Sequence, residues 1–75
     1  MAKYYFDLHN GGGFLKDNDG RELPDKLAAH KEAATILMDV AGDELNGFDP
    51  FSAKVTVRDH QAAVIFTATL SFRID

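Results

Sequence analysis

The chain has 75 residues, of which 45% are hydrophobic, and this size and composition predict one globular domain spanning residues 1–75. It contains no cysteine and no apolar run of membrane-spanning length, which excludes a disulfide framework and predicts a cytoplasmic protein. The formal net charge of −4 argues against a general nucleic-acid binder, whose contact surface should be basic.

The N-terminal segment predicts a β-hairpin. Residues 3–8 (KYYFDL) alternate between faces as a half-buried strand does. Residues 9–13 (HNGGG) tolerate positive φ and predict the turn, after which residues 14–16 begin a short second strand.

The acidic stretch 16–25 (KDNDGRELPD) has the composition of a calcium-binding loop without its spacing. Asp17, Asp19 and Glu22 surround one glycine, but neither possible register places oxygen ligands at every position that an EF-hand loop requires. The stretch therefore predicts a turn followed by a helix N-cap at Asp25, rather than a metal site.

The segment from Lys26 to about Asn46 has helical periodicity. The first stripe, predicted to pack on the sheet, comprises Leu27, Ala34, Met38, Ala41 and Leu45, with Leu37 beside it. The second stripe lies beside it and comprises Ala29, Ala33, Ile36 and Val40. Together they form an apolar arc roughly 200° wide, where about 100° suffices for a helix on one sheet. The second stripe is therefore either covered by the sheet and the 47–51 loop or exposed as a partner site.

The C-terminal part predicts a second hairpin. Residues 51–58 and 62–74 alternate between apolar and polar side chains, and residues 59–61 form the turn between them. The resulting order ββαββ predicts an α+β fold, a two-layer sandwich in which one long helix packs on a four-stranded, mainly antiparallel sheet. The order of the strands within the sheet stays open.

Several of these features together resemble a family of short, uncharacterised bacterial proteins. The similarity rests on the opening YYFDL, the D-x-x-G-x-E-L-P-D pattern of residues 17–25, the alanine-rich helix and the V-R-D of residues 57–59. It covers nearly the whole chain, although the NGGG run and the lack of a glycine in the last hairpin turn depart from the pattern. The resemblance implies the same fold and carries no established activity.

The sequence offers no arrangement of residues for catalysis, so we expect neither an enzyme nor a cofactor. His9, His30 and His60 match no metal-ligand spacing, and a site combining a histidine with Asp17 and Asp19 is the least favoured alternative. His9 and His60 fall in predicted turns and should be solvated. His30 lies in the apolar arc, where either an edge histidine reaching solvent or a pH-sensitive interface contact is possible.

Two surfaces remain as candidate binding sites. The favoured hypothesis is a non-catalytic interaction protein, either a homodimer or an accessory subunit of an unidentified protein, that docks through the second stripe. The alternative is a weak binder of single-stranded nucleic acid or another polyanion through the open face of the sheet. This open-face set comprises Lys3, Tyr5, Lys54, Arg58 and Arg73. One aromatic residue among four bases is typical of an ordinary solvated face, so nucleic acid is the less favoured partner.

Overall fold

The computed structural model describes residues 1–47 and 49–75, in which one helix packs on one antiparallel sheet. Its elements are β1 (Ala2–Asn10), β2 (Gly13–Leu15), β3 (Arg21–Leu23), α1 (Lys26–Glu44), β4 (Phe51–Arg58) and β5 (Val64–Phe72). The predicted α+β sandwich is confirmed, with one strand more than expected. The described residues form no helix that is long and apolar enough to cross a membrane. The 47–51 loop includes residue 48, which lies outside the described residues.

The two edges of the sheet are unlike. The main strand order is β2-β1-β4-β5. β2 and β3 both pair with the edge of β1 that faces away from β4, each along a different half of the strand. Ala2–Tyr4 of β1 faces β3, whereas Leu8–Asn10 faces β2. One edge of the sheet is therefore two three-residue strands separated by a turn, and the opposite edge is the nine-residue strand β5.

The additional strand β3 occupies residues that the sequence pattern assigned to the turn before the helix. Three residues are too few to show a periodicity, so the pattern carries no signal for β3. Its pairing depends on the turn before it, which returns the chain alongside β1 and aligns Arg21 with Tyr4.

The start of α1 is where the sequence placed it. The Asp25 side chain accepts a hydrogen bond from the backbone N–H of Ala28 at 2.9 Å, which confirms the predicted N-cap. The helix ends at Glu44, slightly before the predicted end, and the N–H of Leu45 donates to the carbonyl of Ala41.

The helix presents the second stripe to the sheet, whereas the first stripe was predicted to do so. Ala29 and Ala33 are fully buried, and Ile36 and Val40 are half-buried against the core. These alanines let the helix lie close to the fully buried Val55 and Val57 of β4 and to the aromatic side chains of β1. Leu37, predicted beside the first stripe, is buried, but the prediction for the stripe itself was wrong. An apolar arc twice the necessary width leaves the rotation of the helix undetermined.

The turn between β4 and β5 contains a non-glycine residue in the left-handed conformation. Ala62 has a φ of 66°. The Asp59 carboxylate accepts hydrogen bonds from the N–H groups of Ala63 and Gln61, and these bonds lower the pKa of Asp59. This turn, which contains no glycine, therefore holds Ala62 in a conformation that favours glycine.

We expect Ala62→Gly to raise the free energy of unfolding by about 0.5–1 kcal/mol, because it removes left-handed strain at a small cost in unfolded-state entropy. Chemical denaturation measures the change. Ala63→Gly is the control, since Ala63 is equally solvent-facing but has no positive φ and should lose stability instead. A loss of stability in both variants would contradict the prediction.

Candidate interaction surface

The first stripe of α1 leaves large apolar side chains uncovered. Leu27 is 60% exposed, Met38 67% and Leu45 40%. Ala34 between them is also exposed, and Ala41 is half-buried. Single exposed apolar residues are common on monomers, but a stripe along one helix face marks a surface that favours a partner.

Contacts on either side of α1 show which way this stripe faces. The His30 ring meets the ring of Phe66 in β5 edge to face, with centroids 4.5 Å apart. Glu32 forms an ion pair with Arg21 of β3, on the other side of the helix. At 100° per residue, the first stripe lies within about 80° of His30 and at least about 120° from Glu32. The exposed stripe is therefore on the β5 side of the molecule.

The strand beneath that side of the helix is a long, uncharged edge. β5 has the sequence VIFTATLSF, without a lysine, proline or acid that would discourage pairing with another chain. Phe66, Ala68 and Leu70 face the helix layer and are only half-buried. We call the outer edge of β5 together with the first stripe of α1 the β5-edge surface.

The acids of α1 are placed away from the β5-edge surface, and the C-terminal one, Glu44, accepts a hydrogen bond from Asn10 of β1. The acids Glu32, Asp39 and Asp43 lie on the side of the helix that faces β3 or solvent. Lys31 borders the stripe and has a stem long enough to carry its ammonium into solvent. The centre of the surface is therefore apolar, with the exposed Lys26 and Lys31 at its margins.

The second stripe does not provide the docking surface that was expected of it. Ala29 and Ala33 are inaccessible beneath α1. Ile36 lines an open groove of about 540 Å³ between α1 and the β2–β3 edge, together with Leu8 and Leu15. The apolar arc of α1 is wider than the sheet covers, as predicted, but the exposed part is the first stripe and not the second.

A largely buried ion pair joins the two neighbouring inner strands β1 and β4. Arg58 Nε donates to Asp7 Oδ2 at 2.6 Å, and Arg58 Nη2 donates to Asp7 Oδ1 at 3.0 Å. The same Nη2 also donates to the carbonyl of Asp17 at 3.0 Å. The guanidinium lies 5.0 Å from the ring centroid of Tyr5. We call these residues, with the 17–20 turn that they hold, the Asp7–Arg58–Asp17 network.

Asp17 connects this network to the 17–20 turn through its side chain and its backbone N–H. Its carboxylate accepts N–H bonds from Phe6, Asp19 and Gly20 at 3.0–3.1 Å, and its own N–H donates to Asp7 Oδ1. Burial raises the pKa of Asp17, but the three N–H donors outweigh it and leave the pKa below 3.8. The D-x-x-G pattern thus fixes a turn against β1. In the described part of the chain, no three His, Asp or Glu side chains come together as metal ligands.

The same network weakens the open-face set as a polyanion site. Arg58 is largely buried and lies between Asp7 and Asp17, so it is not a free cation as that hypothesis requires. Arg73 pairs with Asp75 at 2.8 Å, and Lys3 lies 6.0 Å from the centroid of the half-buried Tyr5 ring. Lys54 is exposed on β4. The structure does not bring these bases together as one positive surface.

Of the three histidines, His9 departs from the sequence expectation of a solvated turn residue. His9 lies within β1 rather than in a turn, and its ring packs on Phe14 with centroids 4.5 Å apart. His60 is exposed in the β4–β5 turn, as expected. His30 is exposed and packs at the edge of β5, next to the first stripe.

Comparison with protein families identifies the group to which this architecture belongs. The model of the family described as Domain of unknown function (DUF6894) matches residues 3–71. The chain belongs to this family. The match runs from β1 into β5 and includes the whole Asp7–Arg58–Asp17 network. Comparisons with curated proteins and with solved structures each gave no match.

Proposed function

We propose that the protein is a non-catalytic interaction protein that acts as a homodimer in the bacterial cytoplasm, with the β5-edge surface as its contact. The observation that carries the proposal is the exposed first stripe of α1 beside an uncharged nine-residue edge strand. The cysteine-free sequence and the resemblance to bacterial proteins support the cellular setting. Docking as an accessory subunit on a different protein is the alternative use of the same surface.

Association would stabilise a small domain by burying apolar surface that is exposed in the single copy. Complete burial of a leucine or methionine side chain contributes about 1.5–3 kcal/mol, and three such side chains of the first stripe are at least 40% exposed. A 75-residue chain buries a smaller fraction of its surface than a larger domain does. A second copy therefore supplies apolar contacts that the fold does not provide for itself.

We expect Met38→Glu to convert the dimer into a monomer, because it places a charge at the centre of the apolar contact. Light scattering over a range of protein concentrations measures the change as a halving of the solution mass. Circular dichroism of the same samples checks that the helix is retained, which we expect because the Met38 side chain is 67% exposed.

Leu15→Glu is the matched control. Leu15 is 68% exposed, almost the same as Met38, but it lies in β2 on the opposite edge of the sheet. This variant should keep the wild-type mass. If Leu15→Glu alone halves the solution mass, the interface lies at the groove beside Ile36 and not at the β5-edge surface. A wild-type protein that is monomeric at every concentration would overturn the homodimer.

A further inference from the structure

The proposed homodimer leads to a specific geometry for the contact. We infer that two copies pair through β5 itself, antiparallel across a twofold axis at Thr69, so that their sheets become one continuous sheet. This inference rests on the proposed function and adds the element, direction and register of the contact. Three features of the β5-edge surface lead to it.

The first feature is the free hydrogen-bonding capacity of β5. In the described chain β5 pairs with β4 on one side, so alternate backbone N–H and C=O groups along its other side point outward. An added strand can pair with these groups, and no charged side chain of β5 opposes it. The other sheet edge is broken by the 17–20 turn and offers no comparable length.

The second feature is the regularity of β5, which sets the register. The ladder with β4 shifts between Val57 and Arg58, which face Phe66 and Val64, so the irregularity lies at the start of β5. Bulges twist a strand away from regular pairing. The regular part is therefore Phe66–Phe72, and its midpoint is Thr69.

A twofold axis at this midpoint produces compatible cross-strand neighbours. The facing pairs are Phe66 with Phe72, Thr67 with Ser71, Ala68 with Leu70, and Thr69 with its own copy. Apolar residues meet on the helix side of the sheet and hydroxyl residues meet on the open side. Aromatic pairs and Thr–Thr or Thr–Ser pairs each contribute favourably to antiparallel sheets.

The third feature is the position of α1. A twofold axis perpendicular to the joined sheet keeps both helices on the same face, with their first stripes directed toward each other. Because α1 lies over β4 and β5, the two helix axes would be about two to three strand spacings apart, on the order of 10–14 Å. Packed helices lie about 8–10 Å apart, and the long side chains of Leu27 and Met38 can fill the difference.

The area is suited to a second copy of this chain. A nine-residue strand makes an edge about 30 Å long, and the sheet and helix layers are about 20 Å deep, which gives on the order of 600 Å² per copy. Specific interfaces bury about 800 Å² per partner, so this contact falls toward the lower end of stable ones. Its centre is uncharged and so does not favour a partner of opposite charge. The residues of β5 are instead complementary to those of a second, antiparallel β5.

Cysteine cross-linking tests the register directly, because the natural chain has no cysteine. In Thr69→Cys the two thiols face each other across the axis, with Cα atoms about 4.5–5.5 Å apart, within the range for a disulfide. In the control Thr67→Cys, on the same face of the same strand and also exposed, the two cysteines are more than about 13 Å apart. Under mild oxidation we expect Thr69→Cys to form covalent dimer at least about tenfold faster.

The outcomes separate this inference from the proposed function. Rapid cross-linking of Thr69→Cys alone supports pairing of β5 at this register. Equal or faster cross-linking of Thr67→Cys overturns the register. If neither variant cross-links while light scattering shows a dimer, β5 pairing is wrong and the homodimer stands. If the protein is monomeric at every concentration and neither variant cross-links, both fail.

Discussion

Replacing Arg58 with alanine is expected to lower the free energy of unfolding by about 3 kcal/mol, because it leaves the buried Asp7 carboxylate without its cation. The variant also removes the hydrogen bond to the Asp17 carbonyl that holds the 17–20 turn. Domains of this size are stable by roughly 4–11 kcal/mol, so the loss is a large part of the total. Urea denaturation followed by circular dichroism measures it.

Arg73→Ala is the matched control for this variant. Arg73 also pairs with an aspartate, but both side chains are more than 70% exposed, and exposed pairs contribute at most about 1 kcal/mol. A similar loss in the two variants would show that Arg58 stabilises the fold no more than a surface ion pair does. A difference of at least about 2 kcal/mol supports the Asp7–Arg58–Asp17 network as a principal contact between β1, β4 and the turn.

The pH dependence provides a second measurement of the same network. The hydrogen bonds from Arg58 lower the pKa of Asp7 below 3.8, outweighing the effect of burial, and the pKa of Asp17 is lowered as well. A carboxylate whose folded-state pKa is lowered stabilises the fold at pH values well above 3.8, and that contribution is lost as the pH falls through 3.8 toward the folded value. The wild-type protein should therefore lose stability in this acidic range, and Arg58→Ala should show a shallower loss.

Gly20→Ala is expected to lower the free energy of unfolding by about 2–3 kcal/mol, from a strained backbone and a steric clash together. Gly20 has a φ of +71°, and an added Cβ would lie 2.9 Å from Cε2 of Tyr5 and 3.1 Å from the carbonyl oxygen of Tyr4. The Tyr5 ring cannot move away freely because the Arg58 guanidinium lies over it. Thermal and urea denaturation measure the loss.

Gly47→Ala separates the two causes. Gly47 has a φ of +83°, but among the described residues nothing lies within 4 Å of an added Cβ, so this variant carries the backbone strain without the clash. Its expected loss is about 1 kcal/mol. Equal losses at the two positions would contradict the close packing of the 17–20 turn against β1.

Local signals in the sequence were sufficient for most of the secondary structure. The bounds of β4 and the Asp25 cap follow from alternation and from a side chain that bonds its own neighbours, and both are found as predicted. The contact between Asp7 and Arg58 joins residues 51 apart in sequence, and no periodicity reports such a pairing. A signal was present in the YYFDL and V-R-D segments, but we assigned these residues to strand faces and turns.

For the candidate site, too, the local pattern was predictable from the sequence and the contacts between distant residues were not. The width of the apolar arc on α1 was readable from the sequence and correctly indicated more apolar surface than one sheet covers. The rotation of the helix depends on the contact of His30 with Phe66 and of Glu32 with Arg21, which join separate elements. The expected surface at Ala33 is therefore in the core, and the exposed one is at Met38.

The unlike edges of the sheet also determine how far assembly can proceed. The proposed pairing through β5 would occupy the long edge in both copies. The remaining edges would be the short β2 and β3 segments on either side of the 17–20 turn. When the only long edge of each copy is paired, no long edge is left for a third copy, and the assembly is a closed dimer. A sheet with two long open edges could add copies indefinitely and grow into a fibre. By pinning that turn to β1, Asp17 would limit the stoichiometry to two.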